Sequence, residues 1–303
     1  MSLAGGTAST GVALGVIRAR RRARVSADVG KICGQRLAIE LHSPVMDKLA
    51  GYVDTNRQYC EAVCRAGEFA GQTLALCGAG PSLSQHKIEG ATQIWACNSA
   101  LPYLLERGVN VTAGVAIDQT PALLAEWKSR PDVQYYLASS CDPEITRYLA
   151  GRPISWFHSY VGLRDEVAQY KQWPTPMMML TVGHTVVSRI VGLALWMGFE
   201  RIDVYGADCA LGDEDVAHAN GELVNVAYHN PLILTGEVNG RKWRTRPDML
   251  IGAVDLVRQV RASLGAVRLI GDTLPVALLG KPEAFLDSVA RMLKPGDYTP
   301  PTS

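Results

Sequence analysis

A chain of 303 residues with 48% hydrophobic and 19% charged side chains can build a sizeable core, which excludes an intrinsically disordered protein. Its 30 basic and 29 acidic residues nearly cancel, so net charge drives no general affinity for nucleic acid or a membrane. No apolar run reaches the ~20 residues that cross a bilayer, and seven cysteines without paired spacing read as reduced thiols in a cytoplasmic protein.

Residues 1–66 form a basic, mixed and partly helical N-terminal extension. Its arginine cluster, Arg18 to Arg24, is the one feature that suggests a phosphate-binding arm or a partner contact. Asp47 to Arg65 carries the apolar positions of a helix. From Gln72 the text becomes regular: TLALC, TQIWAC, VTAGVAI, VQYYLA, PISWF, RIDVYGA and AVRLIG have strand length and are apolar throughout. Such runs suit strands buried on both faces of a parallel sheet. LPYLLERG, PALLAEWKS and PEITRYLAG read as helices between them, and His184 to Gly198 as a largely buried helix. Asp213 to Trp243 is polar and aperiodic, the pattern of a lid or binding loop. Asp248–Leu264 then reads as a helix, Val267–Gly271 as a strand, Pro282–Leu293 as a helix, and 296–303 as a tail. The alternation predicts an α/β fold: a Rossmann-like, doubly wound, mostly parallel sheet over residues 67–295.

Ligands of such sheets bind beyond the carboxyl ends of the strands. The first such end is Gly78-Ala79-Gly80-Pro81-Ser82. A strand that breaks at glycines and opens into a helix leaves N–H groups that favour an anion, most often phosphate. It is not a dinucleotide fingerprint, because Leu83 stands at the third glycine and Asn98 where a ribose-binding acid would stand. The P-loop lysine is absent as well. The later strand ends supply Asn98, Asp118, Ser139 and Asp208. Helix capping accounts for Ser82, Ser99 and Asp142. Asn98, Asp118 and Asp208 are candidates for ligand contact, with Asp118 and Asp208 able to share a Mg²⁺ or to divide the roles of base and ribose holder. Gly183 and His184 precede the buried helix and offer a second anion site or a catalytic group. His218 and His229 lie in the polar segment after Asp208, and His218, nearer that strand, ranks first as a general base.

With these residues in view, the chain resembles the MptE-like family, named for an archaeal 6-hydroxymethylpterin diphosphokinase and related in fold to motility-associated and sialic-acid-type glycosyltransferases. The matching blocks are CGAGPSL at 77–83, ACNSAL at 96–101, AID at 116–118 and VVSRIVGLALWMGFERIDVYGADCAL at 186–211. A weaker block, GEVNGRKWRT, follows at 236–245. The resemblance implies a Rossmann-like transferase with a nucleotide held at the glycine loop and Asn98. In one branch ATP and Mg²⁺ deliver a diphosphate to a hydroxymethyl group of a small heterocycle. In the other a nucleotide-activated sugar is the donor and a histidine the base. Where the family often carries a Gly-Gly-Ser-type turn, this chain has Val182-Gly183-His184-Thr185. A binding or assembly module on the same fold, and assembly into a homo-oligomer, stay open alongside these readings.

Overall fold

The computed structural model describes residues 46–160, 166–173, 179–180, 183–221, 233–280 and 285. Residues 1–45, with the arginine cluster, His229 and the C-terminal tail lie outside the described residues.

Among the described residues, eight parallel strands form one sheet. In chain order they are β1 (Thr73–Cys77), β2 (Gln93–Cys97), β3 (Ala113–Ala116), β4 (Gln134–Ala138), β5 (Ile154–Ser159), β6 (Met179–Leu180), β7 (Arg201–Tyr205) and β10 (Val267–Leu269). Their spatial order is β10-β7-β1-β2-β3-β4-β5-β6. The chain therefore winds from β1 to β6 in one direction, then returns to lay β7 on the other side of β1. That reversal is the topological switch point of a doubly wound sheet, where such folds bind ligands. The expected α/β class stands.

The strands are apolar throughout because both faces are covered. Leu74, Ala75, Leu76 and Cys77 are all fully buried, and Trp95, Tyr136, Phe69 and Phe199 stack into one aromatic cluster beneath the central strands. One buried carboxylate interrupts the pattern. Asp203 in β7 receives two hydrogen bonds from Arg268 of β10, at 2.6 and 2.8 Å, which ties the edge strand to its neighbour.

Helix α1 (Met46–Arg57) ends earlier than the sequence suggests. The chain after it is extended: Trp156 of β5 donates to the Ala62 carbonyl, and Cys64 donates back to the Trp156 carbonyl. Val53 and Cys64 join the main core, and the Asn56 amide donates to the carbonyls of Ser139 and Cys141. Residues 46–66 are thus built into the sheet domain and do not form an appendage to it. Between strands the helices are short. They are α2 (Ala100–Glu106), α3 (Pro143–Tyr148) and α4 (Glu166–Tyr170), while PALLAEWKS contributes only a 3₁₀ turn at Pro121–Ala125. The buried helix α5 (Val186–Trp196) and helix α6 (Pro247–Ala262) hold their expected places, and α7 (Leu274–Gly280) closes the described chain.

The polar stretch read as a lid contains an antiparallel hairpin, β8 (Leu234–Val238) with β9 (Arg241–Thr245). Its turn is Asn239-Gly240, both left-handed (φ 54° and 75°), the backbone that two-residue hairpins require. Leu234, Val238 and Trp243 from one face form a second core with Leu250, Leu274 and Phe285. The hairpin is anchored beside β7, where Leu211 donates to the Arg244 carbonyl and the Thr245 hydroxyl to the Cys209 carbonyl. Residues 222–232 of the same stretch lie outside the described residues.

The sheet's tightest junction is where the turns after β1 and β7 cross. A Cβ on Gly206 (φ 58°) would stand 2.2 Å from the Gly78 carbonyl oxygen, and one on Gly78 2.6 Å from the Gly206 oxygen. Replacing Gly206 by Ala is expected to cost roughly 2–4 kcal/mol, from the left-handed backbone and the overpacking together. Gly51→Ala, where nothing lies within 4 Å, should be neutral or stabilise by up to about 1 kcal/mol. Urea denaturation of the two variants checks the contrast.

Candidate functional site

The glycine loop is not the open cradle its sequence suggests. The N–H of Gly78 donates to the Tyr205 carbonyl at 2.8 Å and that of Gly80 to the Gly206 carbonyl at 2.9 Å. The Ser82 N–H reaches both carboxylate oxygens of Asp208 at 3.2 Å, and its hydroxyl donates to Asp208 Oδ2 at 2.8 Å. The following turn, Pro81–Gln85, is a five-residue 3₁₀ segment and not an α-helix. Its dipole is correspondingly small, and the Ser82 N–H is taken up by the Asp208 carboxylate. Gly80 is required for this arrangement, since a Cβ there would meet Asp208 Oδ2 at 2.1 Å. Burial raises the Asp208 pKa, and the Ser82 hydrogen bonds and the nearby His86 pull it back. Asp208 therefore clamps the β1 turn to the β7 turn. Ala79 accepts a hydrogen bond from the Ala219 N–H at 2.8 Å, which lays the His218 segment on the same loop.

Unsatisfied polar atoms lie one strand further along. Asn98 Oδ1 after β2, Asp118 Oδ2 after β3 and Ser140 Oγ after β4 are sealed from solvent and have no hydrogen-bond partner among the described residues. Buried polar groups are normally paired, so three orphans on successive strand ends mark a place built for something else to donate. Asn98 is further distinguished by a left-handed backbone, φ 47°, held by Trp127 Nε1 donating to its carbonyl at 2.9 Å. Burial raises the Asp118 pKa to about 6, with Glu126 adding to the rise and the Asn98 amide opposing it.

The row continues to β5. Ser139 is buried, with its hydroxyl 2.8 Å from His158 Nδ1 and its carbonyl accepting from Asn56. His158 stacks on Tyr170, and its Nε2 has no hydrogen-bond partner among the described residues. Burial lowers its pKa to about 4, only partly offset by the Tyr170 carbonyl. The ring is neutral at physiological pH.

The first turn of α5 touches both flanks of this row. Val187 Cγ2 is 2.8 Å from where a Gly78 Cβ would stand. On the other side Arg189 binds the Gly183 carbonyl, the Ser159 hydroxyl and the Tyr160 carbonyl. Gly183 (φ 107°) is demanded by the turn, as a Cβ there would meet the Arg189 nitrogen at 2.7 Å. The helix carries a capping box: Thr185 Oγ1 accepts from the Ser188 N–H, and Ser188 Oγ from the Thr185 N–H. Of the serines and aspartate read as caps, Asp142 does cap α3. Ser99 makes no side-chain cap bond, and the Ser82 hydroxyl goes to Asp208 instead.

The expected Mg²⁺ shared by Asp118 and Asp208 does not fit the sheet. Asp118 follows β3 and Asp208 follows β7, three strand spacings apart, or about 14 Å, and no group of three candidate metal ligands occurs among the described residues. Asp118 alone, with Asn98 Oδ1 beside it, fits a hard cation that takes its remaining ligands from water and phosphate. Sequence reasoning passed over two groups here: His86, whose Nε2 is buried against Gly271, and Asp255, which binds His184. Neither follows an apolar strand, so the strand-end rule could not find them.

The profile of the MptE-like family, described as 6-hydroxymethylpterin diphosphokinase MptE-like, matches residues 52–214, more than half of the chain. The chain belongs to this family. The match begins within α1, in accord with the packing of residues 46–66 into the domain. No curated protein matches the sequence significantly. Among solved structures, the MAf glycosyltransferase from Magnetospirillum magneticum AMB-1 superposes on 82% of this chain with a TM-score of 0.52 and 13% identity. The chain spans 43% of that chain's length. A sialyltransferase CST-II variant in complex with CMP aligns over 72% of this chain and 88% of its own, with 12% identity. Its TM-score of 0.35 is too low for a shared fold to be argued from it. Family and MAf fold together identify a transferase-type α/β fold. Among the described residues no helix is long and apolar enough to cross a membrane.

The raised pKa of Asp118 makes a prediction about stability. Its folded value, about 6, exceeds the ordinary 3.8, so the native state holds this proton more tightly than the unfolded chain. The linked stability is present below pH ~4 and lost as pH rises through ~6, a penalty on the order of 3 kcal/mol at neutral pH. Asp118→Asn should therefore stabilise the ligand-free protein at pH 8, and leave its stability less dependent on pH between 4 and 6. Thermal melts across that range check both.

Proposed function

We propose that the protein is a nucleotide-dependent transferase that passes a diphosphate from ATP to a hydroxymethyl group of a small heterocycle. The observation that carries this reading is the row of unsatisfied acceptors, Asn98 Oδ1, Asp118 Oδ2 and Ser140 Oγ, at the carboxyl edge of a chain of the MptE-like family. Ribose hydroxyls and a base's amino group are donors suited to such atoms. The glycine loop and Asp208 form one wall of this site, with Ser139 and Gly183 at the other flank.

The row itself offers no cation: Asn98, Ser140 and neutral His158 accompany the Asp118 carboxyl. A triphosphate held there needs positive charge from elsewhere, and Asp118 with Asn98 would hold the Mg²⁺. That ion would neutralise charge on the transferring phosphoryl oxygens. The same acceptors also suit the hydroxyls of a nucleotide sugar. Glycosyl transfer is accordingly the second reading, favoured by the MAf-like fold.

Incubation with ATP, Mg²⁺ and 6-hydroxymethylpterin should yield AMP and the pterin diphosphate. Asp118→Asn should lower that rate by ~10²-fold or more, and EDTA should abolish it. Activity unchanged in both conditions would end the diphosphokinase reading. A thermal-shift panel separates the two chemistries. A nucleotide at ~100 times its Kd adds ~2.7 kcal/mol, and stabilisation by CMP or UDP but not ATP would favour the sugar donor.

A further inference from the structure

Opposite the glycine loop, the turn before α5 carries a polar pair that the row of strand-end residues does not include. His184 Nδ1 lies 2.6 Å from Asp255 Oδ2. Asp255 is buried in the middle of α6, 4% exposed, whereas 20% of the His184 side chain remains open. An ionised carboxylate can only accept a hydrogen bond, so the proton between them belongs to Nδ1. In the neutral ring Nε2, on the side away from Asp255, then carries the lone pair.

The pair is held from several directions. The Thr185 capping box fixes the turn, and Gln259 of α6 donates to the Ser188 carbonyl at 2.5 Å. A Cβ on Gly252 would stand 2.4 Å from Thr185 Cγ2, so α6 approaches this turn at glycine distance. Val187, three residues after His184, packs on Gly78, and Arg189 ties the same turn to Ser159 and Tyr160. His184 thus sits on a turn whose helix touches the glycine loop on one side and the end of β5 on the other.

The geometry points to His184 as the base that takes the acceptor's proton, with Asp255 as its positioning residue. This rests on the transferase reading above. The acceptor's hydroxyl oxygen forms its bond to the β-phosphorus of ATP while the bond from that phosphorus to the α–β bridging oxygen breaks. AMP leaves with the electron pair, and the hydroxyl proton passes to Nε2. The imidazolium so formed is stabilised by the Asp255 carboxylate. An imidazole oriented by a buried carboxylate is the same division of labour as in hydrolase triads, reached here from a helix turn and a neighbouring helix.

Two measurements test this. Long-range ¹H–¹⁵N spectra of the histidine side chains should show His184 as the Nδ1–H tautomer in the full chain, and that preference should vanish in Asp255→Ala. With ATP, Mg²⁺ and 6-hydroxymethylpterin, His184→Gln should lower kcat by ~10²–10⁴-fold with KM for ATP unchanged. Asp255→Ala should lower kcat at least ~10-fold, again without a change in KM. Added imidazole should restore turnover to His184→Ala but not to the double variant with Asp255→Ala. An Nε2–H tautomer in the unmodified protein, or full kcat in His184→Gln, overturns the proposal. Absence of AMP formation by the unmodified protein overturns the diphosphokinase reading instead, while the tautomer spectrum still decides whether the pair exists.

Discussion

The molecule hangs on the crossing of two turns at the switch point of the sheet. β1 lies in the interior of the sheet, and its carboxyl end meets that of β7 at glycine distance. Three glycines, Gly78, Gly80 and Gly206, let the backbones touch. Asp208 then reaches across to take the N–H and hydroxyl of Ser82. The polar groups that a strand-to-turn transition would leave open are satisfied inside the protein, without a ligand. The acceptor row lies to one side of this corner, the first turn of α5 packs on Gly78, and the hairpin is anchored just beyond Asp208.

The acceptor row and the clamp are opposite solutions to one problem. Asp208 is partly buried, and its carboxylate accepts from the N–H and hydroxyl of Ser82. Asp118 is partly buried too, but its Oδ2 is sealed from solvent with no partner among the described residues, and burial raises its pKa to about 6. A protein keeps such an unfavourable group where a function depends on it. Of the two aspartates at strand ends, only Asp118 keeps a sealed oxygen without a partner among the described residues.

Much of the fold was legible in the sequence, because apolar runs of strand length separated by short helical stretches leave a parallel sheet as the simplest solution. The glycines after β1 suggest an anion cradle, whereas the backbone they bring close is that of a second turn, at Gly206. No local pattern shows that Gly206 and Asp208 return to face Gly80. The hairpin was hidden by its charged outer face, Glu237, Lys242 and Arg244, which masks the inward alternation of Leu234, Val238 and Trp243. Asn239-Gly240 was the signal available for it. Asn98 and Asp118 were visible because they end apolar strands. Asp255 was not, since an acid in a helix of mixed polarity looks solvated until a histidine 71 positions away is seen against it.

The winding order also fixes when the clamp can form. β1 pairs with β2 almost at once, but its other neighbour, β7, is made only after β2 to β6, and Ser82 is 126 residues from Asp208. Contacts of such separation close late and slow the folding of a chain. Until then β1 presents a bare, apolar strand edge of the kind that recruits other chains. A fragment ending before Arg201 would keep that edge permanently open. The corner that organises the finished molecule is thus also its point of greatest exposure while the chain is being made.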